Sequence, residues 1–489
     1  MTRSRAYPWI QLLLRAAVNL FFRRIEVAGL RNIPREGGGL VVSWHPNGLV
    51  DPGLVLTQCP RPVVFGARHG LFSYPLLGSL LREVGTVPIY RASDMDGDMG
   101  GDASQESRRA ANRKSLEALA ERVAEGSLSA LFPEGISHDE PGLQALRSGA
   151  ARLYYRARQL AGEGPPPAIL LVGLHYDDKQ MFRSSALVTF HPPLSLPPQL
   201  DVTPEGDVDS DAGRELCHQL TTHMEQALRE VVHATDSWAQ HDLMHRARRL
   251  VRAERAHRAG IEPERTTIGE RVLGFSEIRT GYQQAMQHDP ARVNALMQRV
   301  RQYDTDLRAM RLEDYDLDAP PSLGSKWIAL LLAMQMLGVF LLLPPLVALG
   351  YLINLPTALL LIAIAKLAAR KKKDEATVKL VAGMLAFPLT WIAAGVLAGI
   401  GHHQLHLGFP RIPDAPWLAG MTMASLGAVG GAAALRYLAM ARETARAVRV
   451  RLTRSGAVRS VARLRRERSK IFDELVALVE SSESEQSMT

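Results

Sequence analysis

Cysteine is nearly missing from this 489-residue chain: only Cys59 and Cys217 occur, and no CxxC spacing is present. That leaves no support for a disulfide framework or a cysteine zinc site, and it fits a reducing, cytoplasmic compartment for the soluble part. The basic stretches lack interleaved aromatics, a zinc module and a recognition-helix pattern, so no nucleic acid is expected as a partner. No small-residue cleavage site of the A-x-A kind follows the apolar N-terminal segment, which argues against a secretory signal.

What is present is unevenly spread. Hydrophobic residues make up 46% of the chain and charged residues 22%, near globular averages, yet the long apolar runs crowd between Trp327 and Met440. The length exceeds what one hydrophobic core usually supports, so two or more structural units are expected. The formal net charge of +8 comes mainly from arginine clusters at both ends and beside the apolar runs. Such clusters suit anionic headgroups, and membrane lipids are the expected partners.

In "YPWIQLLLRAAVNLFFRR" the polar residues Gln11, Arg15, Asn19 and Arg23 recur every four positions and line one helix face. This predicts an amphipathic interfacial helix over residues 1–24, with Trp9, Phe21 and Phe22 toward the acyl boundary; an ordinary helix packed on the next domain is the alternative. From 25 to 200, short apolar runs ("GLVVSW", "PVVFGA", "GTVPIY", "LSALF", "AILLVGL", "ALVTFH") alternate with helical patterns. That alternation predicts an α/β domain, a mostly parallel sheet flanked by helices, with ligands at the carboxyl ends of the strands. Residues 201–322 read as a helical extension. Four apolar stretches near 327–349, 351–369, 378–401 and 416–439 predict a membrane region over 323–440 with about four transmembrane helices, followed by a basic tail over 441–489. Each is close to the roughly 20 residues that cross a bilayer. The positive-inside rule puts the catalytic domain, "ARKKK" and the tail on the cytoplasmic side; hairpins that never reach the far side are the alternative.

Three strand ends carry candidate chemistry. "SWHPNGLVDP" places His45 just beyond a buried strand, and Asp51-Pro52 reads as a helix N-cap followed by a proline in the first turn. "LFPEGISHDEP" ends another strand in a tight turn around Glu134 and Gly135. "GTVPIYR" ends a third at Arg91, whose guanidinium suits a phosphate. Each motif alone has an ordinary structural explanation.

Together, and in this order, the histidine with its aspartate, the arginine and FPEG resemble the glycerophospholipid acyltransferase family, which includes bacterial lysophosphatidate acyltransferases. More narrowly, "HPNGLVDP", "GTVPIYR", "FPEGISHDEPGLQALRSGAA", "VGLHYDDKQMFRSSALVTFHPP" and "GYQQAMQHDPARVNALMQRVRQYDTDLRAMRL" resemble the fungal-type glycerol-3-phosphate and dihydroxyacetone-phosphate acyltransferases. The broad family has four residues between histidine and aspartate, whereas Pro46 to Val50 makes five here. The fungal-type branch shares that longer spacing. If the extra residue bulges outward the two side chains meet; otherwise Asp51 is only a cap.

The resemblance implies acyl transfer to a phosphorylated glycerol, with acyl-CoA or acyl-ACP (acyl carrier protein) as co-substrate and no cofactor or metal. His45 would be the general base and Asp51 its orienting carboxylate. Arg91 would hold the acceptor phosphate, Glu134 would contact a glycerol hydroxyl or orient Arg91, and Gly135 would let backbone approach the acceptor. Ser137 and Arg147 are further phosphate-site candidates. A catalytically inactive membrane scaffold or lipid-binding tether is the alternative from another class. Transport is weaker, because the apolar stretches hold almost no ionisable residue.

Two other clusters mimic metal sites. "DMDGDMGGD", from Asp94, departs from a calcium loop in its glycine position and at Gln105. His402, His403 and His406 have metal-like spacing, yet no carboxylate is expected nearby.

Overall fold

The computed structural model describes residues 7–73, 75–90, 102–179, 181, 183–261, 266–318, 326–368 and 375–486. It divides into two compact units. One runs from the N-terminus to Trp238 and takes in Thr266–Leu273; the other contains Ala239–Arg265 and most of the chain beyond Gly274.

The first unit is built on seven strands: β1 (Arg24–Ala28), β2 (Gly39–Ser43), β3 (Val63–Arg68), β4 (Val87–Ile89), β5 (Leu128–Leu131), β6 (Ala168–Tyr176) and β7 (Ser185–Pro193). Their order is β1-β7-β6-β2-β5-β3-β4. Every pairing is parallel except that between β6 and β7. β2 lies between β6 and β5, with Val41 beside both Leu170 and Ala130. β2 and β5 are buried along their whole length, which explains why they read as unbroken apolar runs. The carboxyl ends of β2, β5 and β6 therefore emerge side by side at one sheet edge.

Helices α2 (Val50–Gln58), α3 (Pro75–Glu83), α4 (Asp102–Ala124) and α5 (Gly149–Ala161) connect the strands. Helix α6 (Asp211–Val231) begins at Ser210, whose side chain accepts the Gly213 N–H. Its Cys217, Leu220, Met224 and Leu228 join Leu40, Leu119, Tyr154 and Ile169 in one core. It thus packs into the first unit, beyond the expected boundary at residue 200.

Helix α1 (Tyr7–Phe21) lies against α2. Its Gln11 and Arg15 side chains donate to the Leu56 and Thr57 carbonyls at 3.5 and 3.0 Å. Phe21 and Phe22 are each only 1% exposed, so these rings pack into the domain and do not face outward as the sequence suggested. The outward apolar face consists of Trp9, Leu12, Leu13 and Leu20.

Helix α8 covers Ile268–His288; in the second unit α7 (Trp238–Ala259), α9 (Pro290–Ala309) and α14 (Val458–Gln486) contribute to one core through Leu250, Val300 and Ile471. The apolar region contains α10 (Lys326–Leu337), α11 (Leu343–Ala368), α12 (Glu375–Gly408) and α13 (Pro416–Gly456), with a π-helical turn over Gly338–Leu342. Among the described residues three helical segments are long and apolar enough to cross a membrane: Val347–Ile364, Ala382–Gly408 and Pro416–Gly456; Ala333–Pro345 is shorter. The break expected at residue 350, between the first two apolar stretches, does not form, because the chain there stays helical through Pro356.

Candidate active site

The loop after β2 resolves the spacing question. Gly48 adopts φ +47°, a conformation glycine takes readily, and the Val50 N–H donates to the Asn47 carbonyl at 3.0 Å. The extra residue is absorbed in this turn, and Asp51 comes back beneath the ring of His45. His45 Nδ1 donates to Asp51 Oδ2 at 2.8 Å. Asp51 is fully buried and the His45 side chain is 13% exposed. A carboxylate can only accept, so Nδ1 carries the hydrogen, and in the neutral ring Nε2 keeps its lone pair. Helix α2 starts at Val50, with Leu49 as its N-cap. Asp51 is therefore not the cap expected from sequence; its Oδ2 also accepts the Asn47 N–H at 2.7 Å, and its Oδ1 accepts the Tyr176 hydroxyl.

The turn after β5 fits against the same loop. Gly135, at φ +70°, closes it by donating to the Phe132 carbonyl at 3.0 Å. The Phe132 ring stacks on His45, with centroids 4.2 Å apart and planes 12° from parallel. Glu134 is 3% exposed. Its Oε2 accepts the His45 N–H at 2.7 Å; its Oε1 accepts His138 Nε2 at 2.7 Å and the Gln144 N–H at 2.9 Å. The His138 N–H donates to the His45 carbonyl at 3.1 Å. One carboxylate thereby ties the backbone that carries His45 to the FPEG turn.

Arg147 is exposed, and its N–H donates to the Pro133 carbonyl at 2.8 Å. Its guanidinium lies over Gly135, where an added Cβ would come within 3.0 Å of Nε. Ser137 is in the same turn, partly buried. Arg91 and most of the Asp94 acidic loop lie outside the described residues. The structure thus assembles His45, Asp51, Glu134, Gly135, Ser137 and Arg147 at one sheet edge. It adds Asn47, Phe132, His138 and Tyr176, which sequence reasoning passed over although all four lie inside or beside quoted motifs.

The histidines at the α12 end are engaged locally. His402, His403 and His406 contact the Pro413 carbonyl, Asp414 Oδ1 and the Ile412 carbonyl at 2.9, 3.1 and 2.6 Å. A carboxylate is therefore close, contrary to expectation. No group of three metal-ligating side chains occurs among the described residues.

Part of the β-strand unit matches a known domain. Residues 24–170 match the family model described as Acyltransferase. The chain is also similar to proteins named as acyltransferases. It is 25% identical over 275 residues, 40% of each chain, to an uncharacterized acyltransferase of Schizosaccharomyces pombe. It is 26% identical over 188 residues to glycerol-3-phosphate O-acyltransferase 2 of Saccharomyces cerevisiae, covering 38% of this chain and 23% of that one. The chain spans less than half the length of both relatives. The crystal structure of the 1-acyl-sn-glycerophosphate acyltransferase PlsC of Thermotoga maritima aligns with a TM-score of 0.30 at 16% identity, over 47% of this chain and 85% of that one.

Proposed function

We propose that the protein transfers a fatty acyl group from acyl-CoA or acyl carrier protein to a hydroxyl of a phosphorylated glycerol acceptor at a membrane surface, in phospholipid biosynthesis. The observation that carries this reading is the 2.8 Å pair between His45 and the buried Asp51 at the carboxyl edge of the sheet. A glycerol hydroxyl is a weak nucleophile at neutral pH. His45 Nε2 takes its proton as the oxygen attacks the thioester carbonyl, and a positioned base of this kind contributes roughly 10²- to 10⁴-fold. Asp51 holds the tautomer and stabilises the imidazolium. The tetrahedral intermediate expels the thiolate, which receives the proton from His45. The thioester is already activated, so no acyl-enzyme, metal or cofactor is needed.

Arg147, exposed beside Gly135, is assigned to the acceptor's phosphate together with Arg91 and Ser137. The acceptor is glycerol 3-phosphate, dihydroxyacetone phosphate or lysophosphatidate; the name of the Saccharomyces cerevisiae relative favours the first. The outward Trp9, Leu12, Leu13 and Leu20 of α1 and the three apolar helices support a site at the lipid surface, where a greasy product leaves laterally. The arginine-rich segments beside the apolar helices support a cytoplasmic orientation.

The test uses purified protein in detergent with labelled acyl-CoA, or acyl carrier protein, and each acceptor separately. One acceptor should be acylated, and His45→Ala should slow that transfer by about 10²- to 10⁴-fold. An unaffected rate in the variant supports the scaffold instead.

A further inference from the structure

We propose that Tyr176 is a positioning residue for acyl transfer: its hydroxyl locks the carboxylate of Asp51 in line with the ring of His45. This rests on the reading of His45 as the base.

A carboxylate on a short side chain turns easily about its last torsion, which is broad and roughly two-fold in aspartate. Anchoring one oxygen alone leaves that torsion soft. Here Oδ2 receives His45 Nδ1 and the Asn47 N–H, at 2.8 and 2.7 Å, while Oδ1 receives the Tyr176 hydroxyl. Donors on both oxygens define the carboxylate plane, so Oδ2 is held where Nδ1 needs it.

The tyrosine is itself held. It closes β6, the strand hydrogen-bonded to β2, so its position relative to His45 is set by the sheet. Its ring stacks on Phe22 with centroids 5.8 Å apart and planes at 26°, and Phe22 is 1% exposed. Phe22 also meets Phe21 edge-on at 5.0 Å, which backs the tyrosine with the end of α1. Burial, with the Asp51 charge next, pushes the phenol well above its usual range, so it remains a donor throughout neutral pH. The arrangement extends the two-residue pair into His45, Asp51 and Tyr176, joining a loop and the helix that follows it to a strand 125 residues further along the chain.

The test is kinetic, on the full-length protein in detergent with labelled acyl-CoA and each of the three acceptors. Tyr176→Phe keeps the ring and its stack on Phe22, and its gel-filtration profile and unfolding midpoint report that the fold is retained. It should lower kcat by about 10- to 100-fold, the size of a loss caused by slight misplacement, with KM for donor and acceptor changed less than about twofold. A structural role would add to other substitutions; a positioning role acts through Asp51, so Asp51→Asn with Tyr176→Phe should be no slower than Asp51→Asn alone. Wild-type kcat in Tyr176→Phe, or additive losses in the double variant, overturns the proposal. If His45→Ala is inactive while Tyr176→Phe is fully active, only the tyrosine's role falls. If His45→Ala is itself fully active, the reading of the site falls with it.

Discussion

Replacing Glu134 by glutamine distinguishes a glutamate that holds the site together from one that binds the acceptor. The change preserves shape and removes one acceptor position. In the structure both carboxylate oxygens face donors: the His45 N–H on one side, and the Gln144 N–H with His138 on the other. The amide nitrogen can be turned either way, and each choice sets its hydrogens against a backbone N–H that is left without a partner. His138 cannot adapt by exchanging its tautomer, because its Nδ1 accepts the Glu140 N–H at 3.2 Å, and the two backbone donors cannot adapt either. One unsatisfied buried donor costs about 1–3 kcal/mol, equivalent to roughly 2–12 °C in the unfolding midpoint of a domain this size. Because one of those donors belongs to His45 itself, the ring should also shift. A displacement of about 1 Å lowers turnover by roughly 10²-fold. The assay is differential scanning fluorimetry of detergent-solubilised Glu134→Gln, paired with kcat and KM for the acceptor. A wild-type midpoint and kcat with only a raised acceptor KM would refute this reasoning and return Glu134 to the role of a substrate ligand.

Two further outcomes concern stability. His175 is held at about 3, below its ordinary 6.5, chiefly by burial and then by His233 and His191. The unfolded chain takes up a proton near pH 6.5 that the folded chain refuses until about 3, so this contribution is complete above pH 6.5 and lost as pH falls. The loss by pH 5 is about 2 kcal/mol; denaturant midpoints at pH 7 and pH 5 should converge in His175→Gln, and an unchanged pH slope contradicts the assignment. In the second unit Arg468 is 0% exposed and bonded to Glu254, Asp318 and the Asp314 carbonyl at 2.8, 2.7 and 2.8 Å. Arg468→Ala should cost about 3–5 kcal/mol by stranding buried acids, whereas Arg463→Ala, at an exposed pair with Asp306, should cost less than about 1 kcal/mol; equal effects in thermal denaturation would contradict the contrast.

The sheet was legible where strands are buried on both faces, because apolar runs bounded by turn residues leave few alternatives. β1 was missed: "RIEVA" has charges at its first and third positions, lies at the sheet edge and follows α1 almost directly. The helical periodicity of "GLQALRS" goes unrealised for a different reason. Leu143 does enter the core, but the Gln144 and Arg147 amides donate to Glu134 and to the Pro133 carbonyl. Spent on the FPEG turn, those amides are not available for i→i−4 bonds within a helix, and α5 starts only at Gly149. Asp51 illustrates the same limit. Its sequence neighbours are those of a cap, and only the loop folded by Gly48 turns the carboxylate toward His45. Tyr176 has no local signal at all, since it reaches Asp51 across 125 residues of chain. The motifs after β2 and β5 meet at one sheet edge; the partners that orient them come from strand order.

The membrane region shows how punctuation residues change meaning in an apolar setting. In a soluble chain, Pro344, Pro345, Gly350 and Pro356 would mark a turn between two helices. In lipid an exposed turn leaves backbone groups with no water to satisfy them, so the chain gains by remaining helical. Pro344 and Pro345 occupy the first turn of α11, and the Leu343 N–H just before them bonds to the Gly338 carbonyl. The π-helical turn over Gly338–Leu342 directly precedes them. Gly350 is a contact point: a Cβ there would lie 2.4 Å from the Gly430 carbonyl oxygen of α13. Asn354, one turn on, donates to the Gly427 carbonyl at 2.8 Å and accepts from Trp391 of α12 at 2.9 Å. Small residues that permit close approach, with a polar side chain bridging helices, are the means by which helices associate without a hydrophobic drive between them. The same glycine that looked like a break between two crossings therefore lies inside one, and the crossing Val347–Ile364 spans the position where sequence alone divided it.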